Sequence, residues 1–260
     1  MKAEFEQITT DLYRLCIPFD GNIYTTVFAL TDKQGCIIVD SGSNEFDATN
    51  YVIPAMEKMR FQPDWFICTH LHGDHYGGFS TLVKKYPNVK IGGFFDQEFE
   101  NTKGTEHFKE EQELYGRFQM LHLKGHSNDG LAIFDKKTGT LITGDCLQQY
   151  GITRFGTSIY TVEAYQQSIN KVRELLPNVI VASHDYVPCG YIAKGAEEVA
   201  SMLEACDEAI EKICSFADAN PQTDEATLSV KYLERNPDLP KVGAHSFKAA
   251  RNFLNNKKFM

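Results

Sequence analysis

Within six consecutive positions the chain places His70, His72, Asp74 and His75, four side chains able to ligate a metal ion. They follow Trp65-Phe66-Ile67-Cys68-Thr69, a run of β-formers that reads as a buried strand. If the backbone stays extended past Thr69, the period of two puts His70, His72 and Asp74 on one side, with His75 beyond the turn. Neutral imidazole suits zinc-like ions and carboxylates complete such shells, so the cluster reads as half of a dinuclear centre. Gly73 is expected to let the backbone turn tightly. Gly77 and Gly78 are expected to allow close approach where a helix over Phe79 to Lys85 begins.

A two-ion centre needs further donors, and later strand-like runs supply them in the loops that follow. Phe118 to Leu123 leads into Gly125-His126-Ser127, Thr140 to Thr143 into Gly144-Asp145, and Val179 to Ala182 into Ser183-His184-Asp185. Donors at the ends of separate strands converge on one sheet edge only if the chain folds back there repeatedly.

Val39-Asp40-Ser41-Gly42, the His70 to His75 cluster, Gly125-His126-Ser127, Thr143-Gly144-Asp145 and Ser183-His184-Asp185 stand in an order that resembles the metallo-β-lactamase superfamily. Within it they look like the branch of glyoxalase II and the acyl-homoserine lactonases, over about residues 8 to 190. The resemblance implies an α/β (α+β) fold, a four-layer αββα sandwich with the metals at one edge. It implies His70, His72 and His126 on a first ion, Asp74, His75 and His184 on a second, and Asp145 bridging both. Asp40 becomes a supporting residue beneath the site. Two zinc ions are the implied cofactors, and iron or manganese suits the same donors. The implied reaction is hydrolysis of a small ester, thioester or lactone by a metal-bridging hydroxide, with Asp74 also passing a proton to the leaving group. Two departures, Ser127-Asn128-Asp129-Gly130 after His126 and Ser183 before His184, remove no ligand and bear on substrate identity.

Other readings share this site. A β-lactam hydrolase of the secreted type needs an export signal and often a cysteine at the bridging position. A phosphodiester hydrolase fits the metals but not a net charge of -9, since phosphate backbones are held by clustered Lys and Arg. An iron-dependent oxidoreductase is disfavoured by His72, where flavodiiron relatives usually carry Glu. A non-catalytic, metal-stabilised binding protein would not require all seven ligands. The candidate partner is therefore a small molecule, with no nucleic acid and no membrane; a homo-oligomer is compatible with the sequence.

Substrate contacts are expected from Tyr150, Arg154 and Tyr160, in a stretch from Gln148 to Tyr160 that follows Asp145 closely. A second, helical cover is expected over Asp96 to Gly116. His107, His122 and His245 stand in no motif and receive no site role; Cys146 reads as a small buried residue.

At 260 residues, 42% hydrophobic and 23% charged, the chain is long enough for one large domain. It divides into a catalytic region, residues 1–193, and a helical C-terminal extension packed on it, residues 194–260. The N-terminus lacks an apolar signal region, no run approaches a membrane span, and seven scattered cysteines suit a reducing compartment, so a cytoplasmic location is expected. Strands are expected near Leu12 to Ile17, Asn22 to Leu30 and Cys36 to Val39, before a helix from Phe46 to Met59 that Pro54 kinks. Further helices are expected over Val162 to Leu176, Gly195 to Phe216, from Thr223-Asp224-Glu225 after a break at Asn220-Pro221, and over Ser246 to Leu254.

Overall fold

Leu15 and Ile17, and Val27 and Ala29, recur at the period of a strand and turn one sheet face toward a helical layer. The computed structural model describes residues 4–20, 23–94, 105–148, 157–186, 190–237 and 241–258. Its strands make two sheets, of seven and six strands. The chain divides into two units, Met1–His122 with Leu131–Thr138, and Leu123–Gly130 with Gly139–Met260.

In the first unit β1 (Glu6–Thr9), β2 (Leu12–Asp20), β3 (Ile23–Asp32) and β4 (Gly35–Val39) form an antiparallel meander. α1 (Glu45–Asp47), a π-helical turn over Ala48–Val52 and α2 (Ile53–Met59) then cross to β5 (Trp65–Ile67), which lies parallel to β4. α3 (Gly73–Tyr76) and α4 (Phe79–Lys85) make the next crossover, to β6 (Lys90–Gly93), and β7 (Thr105–His107) completes the seven strands in sequence order. Parallel neighbours need such crossovers, and these bring Val52, Met56, Phe79 and Leu82 onto Leu15, Ile17, Val27 and Ile38. β8 (Glu113–Leu114), β9 (Phe118–His122) and β10 (Leu131–Asp135) form an antiparallel arm of the same unit.

One expectation is refined here and one is corrected. The helix expected from Phe46 to Met59 starts at Glu45, capped by the Asn44 side chain, and widens into the π turn. Pro54 lies in the first turn of α2, where the N–H it lacks would have had to bond the preceding turn, and that preceding turn is the π-helical one. Of the expected helical cover, residues 96–104 lie outside the described residues, and the remainder holds β7 and β8 rather than a helix.

The second unit is built on β11 (Thr140–Ile142), α5 (Val162–Leu175) and β12 (Val179–Tyr186), a βαβ crossover whose strands pair in parallel. β13 (Gly190–Lys194) returns antiparallel to β12 and leads into α6 (Gly195–Asp218), α7 (Glu225–Arg235) and α8 (Ala244–Lys258). The spacing Val199, Met202, Leu203, Cys206, Ile210, Ile213 produces the buried stripe of α6 as expected. Asp224 caps α7 by accepting from Thr227 N at 2.9 Å. Phe216, Tyr232 and Phe247, one from each of the three helices, pack ring to ring with centroids 5.2–5.9 Å apart. Among the described residues no helix is long and apolar enough to cross a membrane.

Candidate metal centre

The first group of donors is positioned by backbone pairing before it and by a clamp after it. Cys68 N donates to Gly92 O (3.1 Å) and Leu131 N to Thr69 O (2.7 Å), which keeps the chain extended beyond β5. His72 is still extended (φ -82, ψ 142), but its carbonyl accepts from His75 N and Tyr76 N at 3.0 and 3.2 Å, so helix begins at Gly73. The expected alternation therefore stops two residues early, at His72: Asp74 shares the turn of α3 with His75 and does not continue the strand. The loop after β4 grips that turn. Ser41 N and Oγ both donate to His75 O at 2.8 Å, and Gly78 N donates to Ser41 Oγ at 3.0 Å. A Cβ at Gly77 would stand 2.0 Å from Ser43 O, and one at Gly78 2.3 Å from Ser41 O, as the expected close approach requires. A Cβ at Gly73 would meet nothing within 4 Å, so the turn there does not depend on glycine.

Ring orientation follows from one buried carboxyl group. Asp40, at the end of β4 with φ 64, accepts Thr69 N on Oδ1 at 2.8 Å, and Thr69 Oγ and His75 Nδ1 on Oδ2 at 2.9 and 2.8 Å. With its proton given to Asp40, the Thr69 hydroxyl accepts from His70 Nδ1 at 3.1 Å. Both rings are thus held by Nδ1–H, which makes Nε2 the nitrogen able to accept a metal ion. Burial pushes the Asp40 carboxyl up, and the neighbouring His75 and the bonds from His75 and Thr69 act against it. The His70 ring stands between those of His72 (4.5 Å) and His75 (4.2 Å), and Asp74 Oδ2 lies 3.5 Å from His75 Nε2.

The second group comes from three separate segments of the other unit. Ser183 N donates to Gly144 O (3.1 Å) and Thr143 N to Val181 O (3.0 Å), which sets Asp145 beside His184. His184 lies inside β12 and not in a loop after it; the pairing with β13 shifts register between Val181 and Tyr186, and His184 stands in that irregularity. His126 Nδ1–H donates to Ser158 O at 2.9 Å, so Nε2 is here too the nitrogen able to accept a metal ion. Asp145 Oδ2 is 3.7 Å from His126 Nε2 and 3.4 Å from His184 Nε2, and all three side chains are buried.

These donor sets suit a metal. Two donors on one tetrahedral ion at about 2.0–2.1 Å stand roughly 3.3–3.4 Å apart. The spacings of 3.4, 3.5 and 3.7 Å within the two groups are near that edge length and longer than hydrogen bonds. Each of the seven side chains, His70, His72, Asp74, His75, His126, Asp145 and His184, is a His or Asp able to offer a metal ion one ligand atom.

Of the expected substrate contacts, Tyr150 and Arg154 lie outside the described residues. Tyr160 is half exposed, its ring edge-on to His126 with centroids 6.5 Å apart. Cys146 is buried, His107 is exposed, and His122 stacks on Phe94 at 4.4 Å. His245 Nε2 is 2.7 Å from Ser158 Oγ, and its ring stacks on Tyr160 at 4.4 Å. Thr69, Ser158 and His245 are the residues the motifs did not reveal. Thr69 at least adjoins the first cluster, while nothing local marks the other two.

Comparison with known proteins agrees with this architecture. Residues 20–184 match the sequence profile of the Metallo-beta-lactamase superfamily, and the chain belongs to that superfamily. A hydroxyacylglutathione hydrolase from Enterobacter sp. (strain 638) is 30% identical over 177 residues, 66% of this chain; the match spans 65% of that relative's length. Among solved structures, a metallo-beta-lactamase from Pontibacter korlensis superposes with a TM-score of 0.62 at 15% identity, covering 79% of this chain and 99% of the other. One from Hirschia baltica superposes at 0.60 with 16% identity, covering 79% and 98%. The fold is the superfamily's αββα sandwich, here with a helical C-terminal region.

Proposed function

We propose that the chain is a metal-dependent hydrolase that cleaves a small ester, thioester or lactone at a dinuclear centre. The observation that carries this reading is Asp145, whose carboxylate oxygen stands between His126 and His184 at ligand-to-ligand spacing. In the proposed assignment His70, His72 and His126 hold one ion, Asp74, His75 and His184 the other, and Asp145 is shared. Zinc suits this imidazole-rich set, and iron or manganese satisfies it too. Paired divalent ions, when bound, supply an activated water and polarise a carbonyl.

The protein's own groups do the rest. Asp74 and Asp145 neutralise only part of the charge of two such ions, so the site favours a developing oxyanion. Asp74, with 19% of its side chain exposed, is placed to carry a proton toward the leaving group. Tyr160 offers its hydroxyl and its exposed face to a substrate near His126. In this reading residues 1–193 are the catalytic region and 194–260 border the pocket, the partner is a small molecule, and the free cysteines suit the cytoplasm.

The named relative hydrolyses, by its name, an acylglutathione, which puts thioesters first in a test panel. Metal content of the purified protein is measured beside chelator-sensitive turnover of a thioester, a lactone and an aryl ester. Two ions per chain with turnover lost on chelation supports the reading. Metal bound without hydrolysis of any of the three overturns it.

A further inference from the structure

The C-terminal extension touches the support of a proposed ligand through specific polar contacts. Ser158 is the junction. Its carbonyl accepts from His126 Nδ1 at 2.9 Å, its N–H donates to Gln148 Oε1 at 2.6 Å, and its Oγ shares a hydrogen bond with His245 Nε2 at 2.7 Å. Residues on either side of it are held by the same stretch of tail. Thr157 N donates to Lys241 O (3.0 Å), Ile159 N donates to Ser246 Oγ (2.9 Å), and Ser246 Oγ donates to Thr157 O (3.2 Å). Thr157 and Ser246 are fully buried, so these bonds exclude water and hold one geometry.

The His245 ring is itself fixed on three sides. Tyr160 covers one face with rings 12° from parallel, Ser158 Oγ meets Nε2, and the backbone of Gly243 closes the space beside Cε1. A Cβ at residue 243 would lie 2.4 Å from that carbon, so glycine there and the ring position are one arrangement.

We propose that His245 is a positioning residue for the metal centre: through Ser158 it sets the direction of the His126 ring, and so of Nε2, and makes the C-terminal extension part of the ligand support. This rests on the reading of His126 as a ligand. The Nδ1–H bond fixes how far the imidazole rotates, and its acceptor is only as fixed as Ser158. Loss of such outer partners weakens metal binding about 10–100-fold, and a contact one step further out belongs at the low end, about tenfold.

Three variants separate the hydrogen bond from the stack. His245→Phe keeps a ring on Tyr160 and removes the bond to Ser158; His245→Gln keeps a polar nitrogen or oxygen near the Nε2 position and removes the stack; Ser158→Ala removes only the hydroxyl. Zinc affinity is read by competition with a chromophoric chelator, and the His126 Nδ1–H by proton–nitrogen correlation in the metal-free protein. His245→Phe and Ser158→Ala are each expected to lose about tenfold in affinity for one of two ions, and to weaken the Nδ1–H signal. The double variant is expected to lose no more than either single change, because both remove one bond. His245→Gln stays within about threefold of the parent. Equal loss in the Phe and Gln variants, additive losses in the double variant, or unchanged affinity in His245→Phe each overturns the proposal. Failure of the parent protein to bind zinc overturns the metal-centre reading instead, which distinguishes the two.

Discussion

The two groups of candidate donors reach similar N···O spacings by opposite routes. His70, His72, Asp74 and His75 come from one stretch of chain, with His70 and His75 oriented by Asp40 and Thr69 on and next to neighbouring parallel strands. His126, Asp145 and His184 come from three segments, and His126 depends on Ser158, itself tied to residues 241–246. The contiguous group carries its geometry locally; the dispersed group borrows it. Residues supporting a contiguous group stand near it in sequence or in the neighbouring strand, whereas those supporting a dispersed group are placed by tertiary packing alone.

The sharpest break of this contrast is inside the contiguous group. Asp74→Ala or His72→Ala is expected to lower turnover by about 10²–10⁴-fold while circular dichroism and melting of the metal-free protein stay at parent values. Retained turnover with normal metal content removes either residue from the proposed chemistry.

Asp40→Asn tests how the contiguous group is held. Asn tolerates the positive φ at this position, so the backbone is preserved while one acceptor oxygen is replaced by a donor. His75 Nδ1–H loses a charged acceptor, and metal affinity is expected to fall about 10–100-fold in a chelator competition. Parent affinity in this variant would mean that the grip of Ser41 on the His75 carbonyl already suffices.

Metal removal compares the groups directly. Binding to the folded state alone stabilises it by about 2.7 kcal/mol per site at a hundredfold excess over Kd, so chelation is expected to lower Tm. Hydrogen exchange on the metal-free protein should rise more around residues 123–130 than around residues 70–76, because the second stretch is held by its own buried network. Equal loss of protection would erase the distinction between local and borrowed geometry.

The smallest effect separates two glycines of the contiguous group. Gly77→Ala drives a methyl into the Ser43 carbonyl and is expected to destabilise the fold by about 1–3 kcal/mol in denaturant titration. Gly73→Ala meets open space in a helical turn and is expected to stabilise by up to about 1 kcal/mol.

Much of this was legible in the residues. The strand before His70, the stripe of α6 and the cap of α7 follow from periods and end signals acting over a few residues, and the four metal-competent side chains after that strand stand in one short run of sequence. What failed had a common cause. Asp74 was assigned to an extended run because period two cannot say where extension stops, and the stop depends on Ser41 gripping a carbonyl distant in sequence. His184 was placed after a strand rather than within one because the register shift that displays it is set by pairing with β13.

His245 marks the boundary between the two kinds of information. By itself the sequence determined which side chains can ligate a metal and many of the segments that form helix or strand, since those depend on residue type and short-range spacing. Only the tertiary structure decided which nitrogen each oriented histidine offers and what holds it there. A ring's orientation is set by the acceptor that faces its Nδ1–H, and for His126 that acceptor is placed by residues about a hundred positions away, through hydrogen bonds that leave no period in the sequence.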